Sequence, residues 1–87
     1  MGKLSKLIQK FLASPPEVRF EEVRTLLEGL GFSELRSKGS HHIFRDELGR
    51  QLTIPKTSGQ KVKRVYVLKI VELLNLEDWK DDSSENK

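Results

Sequence analysis

The chain has 87 residues, room for one domain with a modest core. It contains no Cys, which excludes disulfide stapling and thiolate metal sites and suits a reducing cytosol. Its net charge is +3, but residues 77–87 hold five of the 13 acids and two of the 16 bases, so residues 1–76 carry net +6. A basic body of this kind suits a polyanionic ligand, although basic charge also serves solubility alone.

Leu4, Leu7, Ile8, Phe11 and Leu12 recur at helical spacing, so residues 3–13 are predicted to form a short amphipathic helix. Lys residues interrupt this apolar stretch, which argues against a secretory signal. No apolar run approaches the roughly 20 residues of a membrane span. Ser14-Pro15-Pro16-Glu17 breaks the pattern. Either Ser14 caps a second helix, with Pro15 in its first turn and Glu17 at the capping-box position, or Phe20-Glu21-Glu22 opens it. Phe20, Val23, Leu26, Leu27 and Leu30 form its apolar face, and Gly31 is expected to close it in the left-handed conformation.

Strands are predicted over residues 32–37 and 40–45, joined by a tight hairpin at Lys38-Gly39 in which Gly39 takes a positive φ. Residues 46–49 form a second turn, and residues 50–54 a third strand stopped by Pro55. Residues 56–60 read as a polar loop. Residues 62–76 mix strand propensity at Val65-Tyr66-Val67-Leu68 with a helical stripe at Val67, Ile70, Val71 and Leu74, and their length favours a helix. Tyr66 and Trp79 could stack on nucleic-acid bases, but helix-face composition favours Tyr66 in the core and Trp79 as a lid over an apolar edge. From Asp81 onward the chain is expected to be disordered.

The fold class that follows is α+β, with a three-stranded antiparallel sheet covered by helices on one face. The order α-β-β-β-α resembles a double-stranded-RNA-binding domain, preceded here by an extra N-terminal helix. The expected division is a helical extension at 1–14, a folded domain at 15–76 and an acidic tail at 77–87.

Lys38-Gly39-Ser40-His41-His42-Ile43-Phe44 is the most unusual stretch. An imidazole titrates near pH 6.5, so it accepts and returns a proton at cellular pH. Alternation along a strand groups His41 with Ile43 and Arg45, and His42 with Phe44. Each group has one apolar residue, so alternation does not say which faces the core. Spacing alone leaves both as surface histidines on a hairpin. Adjacent His on opposite faces make a poor metal site, and none is predicted. Arg36, Lys38 and Arg45 flank the pair, while Lys56, Lys61, Lys63 and Arg64 cluster around the loop into the last helix. All seven are candidate phosphate-binding residues, with a solvated basic surface as the alternative.

Gly31-Phe32 after a helix, the Lys38–Phe44 segment, a turn, a strand ending in Ile54-Pro55 and a closing helix together resemble the HicA family. The resemblance covers roughly residues 18–75. It implies a fold like that of a double-stranded-RNA-binding domain. It also implies translation-independent mRNA interferase activity on mRNA in the cytoplasm and neutralisation by a HicB-type antitoxin protein. The family's catalytic His falls on His41, with Gly39 and Ser40 completing the motif. His42 stands where the family accepts other residues. The N-terminal helix and the acidic tail are additions to the shortest family members.

The leading expectation is therefore a metal-independent endoribonuclease. Its general base is His41, oriented by Ser40, and it needs no small-molecule cofactor and no membrane. A non-catalytic RNA-binding module of the same fold is the runner-up. An adaptor that docks partners through the N-terminal helix is the third reading; exposure of Leu4, Leu7 and Phe11 would support it, and their packing on the domain would weaken it.

Overall fold

A computed structural model describes residues 2–79; the tail expected to be disordered from Asp81 lies outside the described residues. The elements in chain order are α1 (Lys3–Leu12), β1 (Glu17–Arg19), α2 (Phe20–Gly29), β2 (Ser33–Lys38), β3 (His41–Arg45), β4 (Gln51–Pro55), β5 (Lys61–Lys63) and α3 (Arg64–Leu73), followed by a 3₁₀ turn at Leu76–Asp78. The α+β class is as expected, with β2, β3 and β4 forming an antiparallel meander in that order.

Of the two starts left open for the second helix, the later one is found. Ser14 has a left-handed φ of 55° and Pro15-Pro16 lead into β1, so neither Ser14 nor Pro15 belongs to α2. The Glu22 carboxylate accepts a hydrogen bond from the Arg19 N–H at 3.0 Å and so caps α2 at Phe20. Gly31, at φ 96°, ends the helix as expected. Its N–H donates to Glu28 and the Phe32 N–H to Leu27, the paired bonds of a Schellman cap.

The expected loop and long closing helix are corrected at their junction. Residues 61–63 form β5, which pairs antiparallel with β1 in the register Glu17↔Lys63, Val18↔Val62, Arg19↔Lys61. Val18 and Val62 are both buried, which gives this short ribbon its apolar side. The Phe20 N–H donates to the Gln60 carbonyl and the Arg64 N–H to the Pro16 carbonyl, so the ribbon ties together the starts of α2 and α3. The final helix starts at Arg64, and the left-handed Asn75 (φ 54°) turns the chain so that Leu76 is buried.

One core joins every layer. Phe44, Leu52 and Ile54 come from the sheet, Val18 and Val62 from the ribbon, and Val23, Leu26, Leu27, Val67 and Ile70 from α2 and α3. Ile8 and Phe11 of α1 are buried in the same core, with Leu4 and Leu7 packed against it. The N-terminal helix therefore spends its apolar stripe on the fold, which weakens the docking-helix reading. Tyr66 and Trp79 are partly buried against the core.

Phe11 is fully buried and Leu48 is 81% exposed. Phe11→Ala should therefore cost about 3–5 kcal/mol of unfolding free energy in urea denaturation, and Leu48→Ala less than about 0.5 kcal/mol. Equal losses would contradict this placement of α1.

Candidate active site

The β2–β3 hairpin closes on the pair Lys38↔His41, with Gly39 and Ser40 as its two turn residues. Gly39 has the expected positive φ, 61°, a conformation that lets a two-residue turn follow the twist of its strands. On the other side His41 pairs with Pro55 of β4, and the Ser40 carbonyl accepts a hydrogen bond from the Lys56 N–H at 2.8 Å. The turn that precedes His41 is thus held from both neighbouring strands.

Burial along β3 settles which face is which. His42 and Phe44 are buried, while His41 and Arg45 are exposed and Ile43 is half-buried. Directly paired residues share a face of a sheet. His41 therefore lies on the outer face with Ile43, Arg45, Lys38 and Arg36. Gln51, Thr53 and Pro55 complete that face from β4. The His41 ring makes no hydrogen bond or ion pair among the described residues. Ser40 precedes His41 in the turn, and its carbonyl is the group held by Lys56.

His42 occupies a different world on the inner face. Its ring lies 4.4 Å from that of Phe20, centroid to centroid. Its Nδ1–H donates to the Glu34 carboxylate at 2.7 Å, and Arg24 binds the other carboxylate oxygen at 2.6 Å. The buried Nε2 of the ring has no hydrogen-bond partner among the described residues. Lys56 places its ammonium 4.9 Å from the Phe20 ring centre and Arg24 its guanidinium 5.3 Å away. Cations over an aromatic face are attracted by its quadrupole, so Phe20 gathers His42, Arg24 and Lys56 around one ring.

Glu34 reaches this inner network through a β-bulge. The register runs Lys38↔His41, Ser37↔His42 and Arg36↔Ile43, then jumps to Glu34↔Phe44, leaving Leu35 unpaired and 54% exposed. Sequence reasoning noticed neither the bulge nor the Glu34–His42 pair. The only signal was an acid upstream of the hairpin, and a regular register would have placed it opposite Arg45.

The seven expected phosphate-binding residues separate into groups. Arg36, Lys38 and Arg45 share the His41 face. Lys56 follows Pro55 at the edge of that face but turns its side chain inward over Phe20. Lys61 and Lys63 lie on the ribbon, where Lys61 pairs with Glu17 at 2.8 Å. Arg64 opens α3, and its Nε donates to the Pro15 carbonyl at 3.3 Å. An open depression of about 510 Å³, lined by Gln51, Leu52, Lys69, Glu72 and Leu73, includes none of the seven. Among the described residues no three His, Asp or Glu side chains converge as a metal site, and no helix is long and apolar enough to cross a membrane.

A meander backed by helices, with one imidazole exposed beside its first turn, defines a small α+β protein with a fold like that of a double-stranded-RNA-binding domain. The family described as "HicA toxin of bacterial toxin-antitoxin" matches residues 20–76, from the start of α2 to the 3₁₀ turn. The chain belongs to the HicA toxin family, as its resemblance implied, and is the toxin member of a toxin–antitoxin pair. No curated protein and no solved structure matches it.

The hydrogen bond from His42, with the nearby Arg24 guanidinium, holds the Glu34 carboxyl below its ordinary pKa against the opposing effect of burial. A carboxyl whose folded pKa is lowered stabilises the fold fully above its unfolded value, about 4.3, and loses that contribution as the pH falls through the folded value. Glu34→Gln should therefore be less stable than the parent near neutral pH, with the gap closing below about pH 4.3. Urea titrations at several pH values would show a pH-independent gap if Glu34 played no such part.

Proposed function

We propose that the protein is a cytoplasmic mRNA interferase, an endoribonuclease that cuts mRNA without a metal ion and is neutralised by a HicB-type antitoxin. The observation that carries the reading is the placement of His41. Of two adjacent imidazoles it is the one exposed, with Lys38 opposite and Arg36 and Arg45 on the same face. His42 is committed to Glu34 and the core.

In this mechanism His41 accepts the proton of a 2′-hydroxyl, and that oxygen attacks the adjacent phosphorus. The bond to the 5′-oxygen breaks, and the leaving oxygen takes up a proton. Arg36, Lys38 and Arg45 hold the phosphate and offset the charge that develops on its oxygens. Lys56, Lys61, Lys63 and Arg64 supply further positive charge along the bound RNA. Gly39 and Ser40 set the backbone from which His41 projects, and no cofactor takes part.

Expression of the chain should arrest growth and shorten transcripts, and co-expression of the antitoxin should restore growth. His41→Ala should lower the cleavage rate by about 10²–10⁴-fold with unchanged urea stability. Cleavage should continue in EDTA and leave a cyclic or 3′-phosphate upstream and a 5′-hydroxyl downstream. A His41→Ala protein as fast as the parent would refute the assignment. RNA that is bound but never cut would leave a non-catalytic binding module.

A further inference from the structure

Building on the ribonuclease reading, we infer that the open face of the β2–β3–β4 sheet binds an unpaired RNA strand, laid across Arg36, Lys38 and Arg45 with its phosphate at His41. The two faces of the sheet differ in what covers them. Phe44, Leu52 and Ile54 bury one face in the common core. On the other, His41, Arg45, Gln51 and Thr53 are exposed.

The charge on that face has one sign. Its strand residues are Ser33, Arg36, Lys38, His41, Ile43, Arg45, Gln51, Thr53 and Pro55, without a carboxylate. Among the described residues Arg36, Lys38 and Arg45 form no ion pair. Lys10, Arg24 and Lys61 on the helices and ribbon, by contrast, pair with Glu22, Glu34 and Glu17. Three uncommitted cations around one imidazole form a phosphate track, because each can replace a counterion released from the nucleic acid.

The shape favours a single strand over a duplex. Three strands spaced by about 4.8 Å, each about 17 Å long, make a short platform, too small to span two successive grooves of a duplex. The deep major groove of A-form RNA does not admit side chains, and duplex-binding domains of this fold order must span two successive minor grooves. A-form geometry also keeps the 2′-oxygen out of line with the bond to the 5′-oxygen, whereas an unpaired strand can rotate into line. Half-buried Ile43 gives the platform an apolar centre, and no aromatic side chain lies on this face to stack on a base. Binding should therefore be tolerant of base identity.

The test measures binding with the His41→Ala protein, so that RNA stays intact, and cleavage with the parent. The probes are a short unstructured oligoribonucleotide and the same strand annealed to its complement, with fluorescence anisotropy as readout. The single strand should bind at least roughly tenfold more tightly than the duplex, with a log–log salt slope of about −2 or steeper, since the three contacts on this face alone account for about −2. Adding Arg36→Glu and Arg45→Glu should weaken single-strand binding by roughly tenfold or more. Thr53→Glu, which removes no native cation, should weaken it as well, and circular dichroism and urea melts confirm that each variant is folded. Lys3→Glu with Lys6→Glu on α1 should change affinity by less than about twofold.

Equal or tighter binding of the duplex would overturn the inference, as would folded face variants that bind like the unmodified face. In either case cleavage of transcripts by the parent would leave the ribonuclease reading standing. A parent that neither binds nor cuts either RNA would end that reading, and the inference with it.

Discussion

The pleat of β3 sends His41 and His42 to opposite sides of the sheet, and the burial of Phe44 decides which side is inside. Side chains on a strand alternate without exception unless the register is broken. With Phe44 fixed in the core between Leu52 of β4 and Glu34 of β2, His42 must follow it inward and His41 must face water. One imidazole becomes part of the packing and the other becomes available for chemistry.

The rest of the fold holds that division in place. The β1–β5 ribbon ties the first residue of α2 to the end of the loop that follows β4. Phe20 is that first residue, and its ring lies against both His42 and Phe44. Lys56 joins the same assembly from the other end, through its backbone bond to Ser40 and its cation over Phe20. Hairpin, helix start and loop are therefore fastened at one point beneath His41. The α1 helix supports this from behind, since Ile8 and Phe11 complete the core that α2 and α3 share, and Lys10 reaches Glu22 on α2.

Much of this was legible from residue order. The apolar stripes of the helices, the left-handed Gly31 and the turn at Gly39 all follow from local rules, and the structure keeps them. The ribbon was not legible, because Glu17-Val18-Arg19 and Lys61-Val62-Lys63 each carry a single apolar residue. Three residues are too few for a period-two pattern to stand out, and their pairing joins segments far apart in the chain. The faces of β3 were not legible either, since both alternating sets contain one apolar side chain. That decision is made by contacts with Phe20, Leu52 and Ile54, which only the folded chain brings together. The family match, over residues 20–76, agrees with the motif reading around His41 but does not itself assign a role to any residue.

The bulge at Leu35 has a consequence for how this strand finds its place. Continued regularly from the hairpin, β2 would set Leu35 against Phe44 and Glu34 against Arg45, an apolar match and an opposite-charge match. Hydrophobic patterning alone prefers that alignment, since a fully buried Leu is worth about 1.5–3 kcal/mol. The chain instead leaves Leu35 in water and draws Glu34 inward to His42 and Arg24. A half-buried carboxylate and its partners thus set the register of the strand, outvoting a leucine. The same choice takes a negative charge off the surface that carries His41. Charge sorting between the two faces is written in the count of residues between Glu34 and the turn, rather than in the identity of any surface residue.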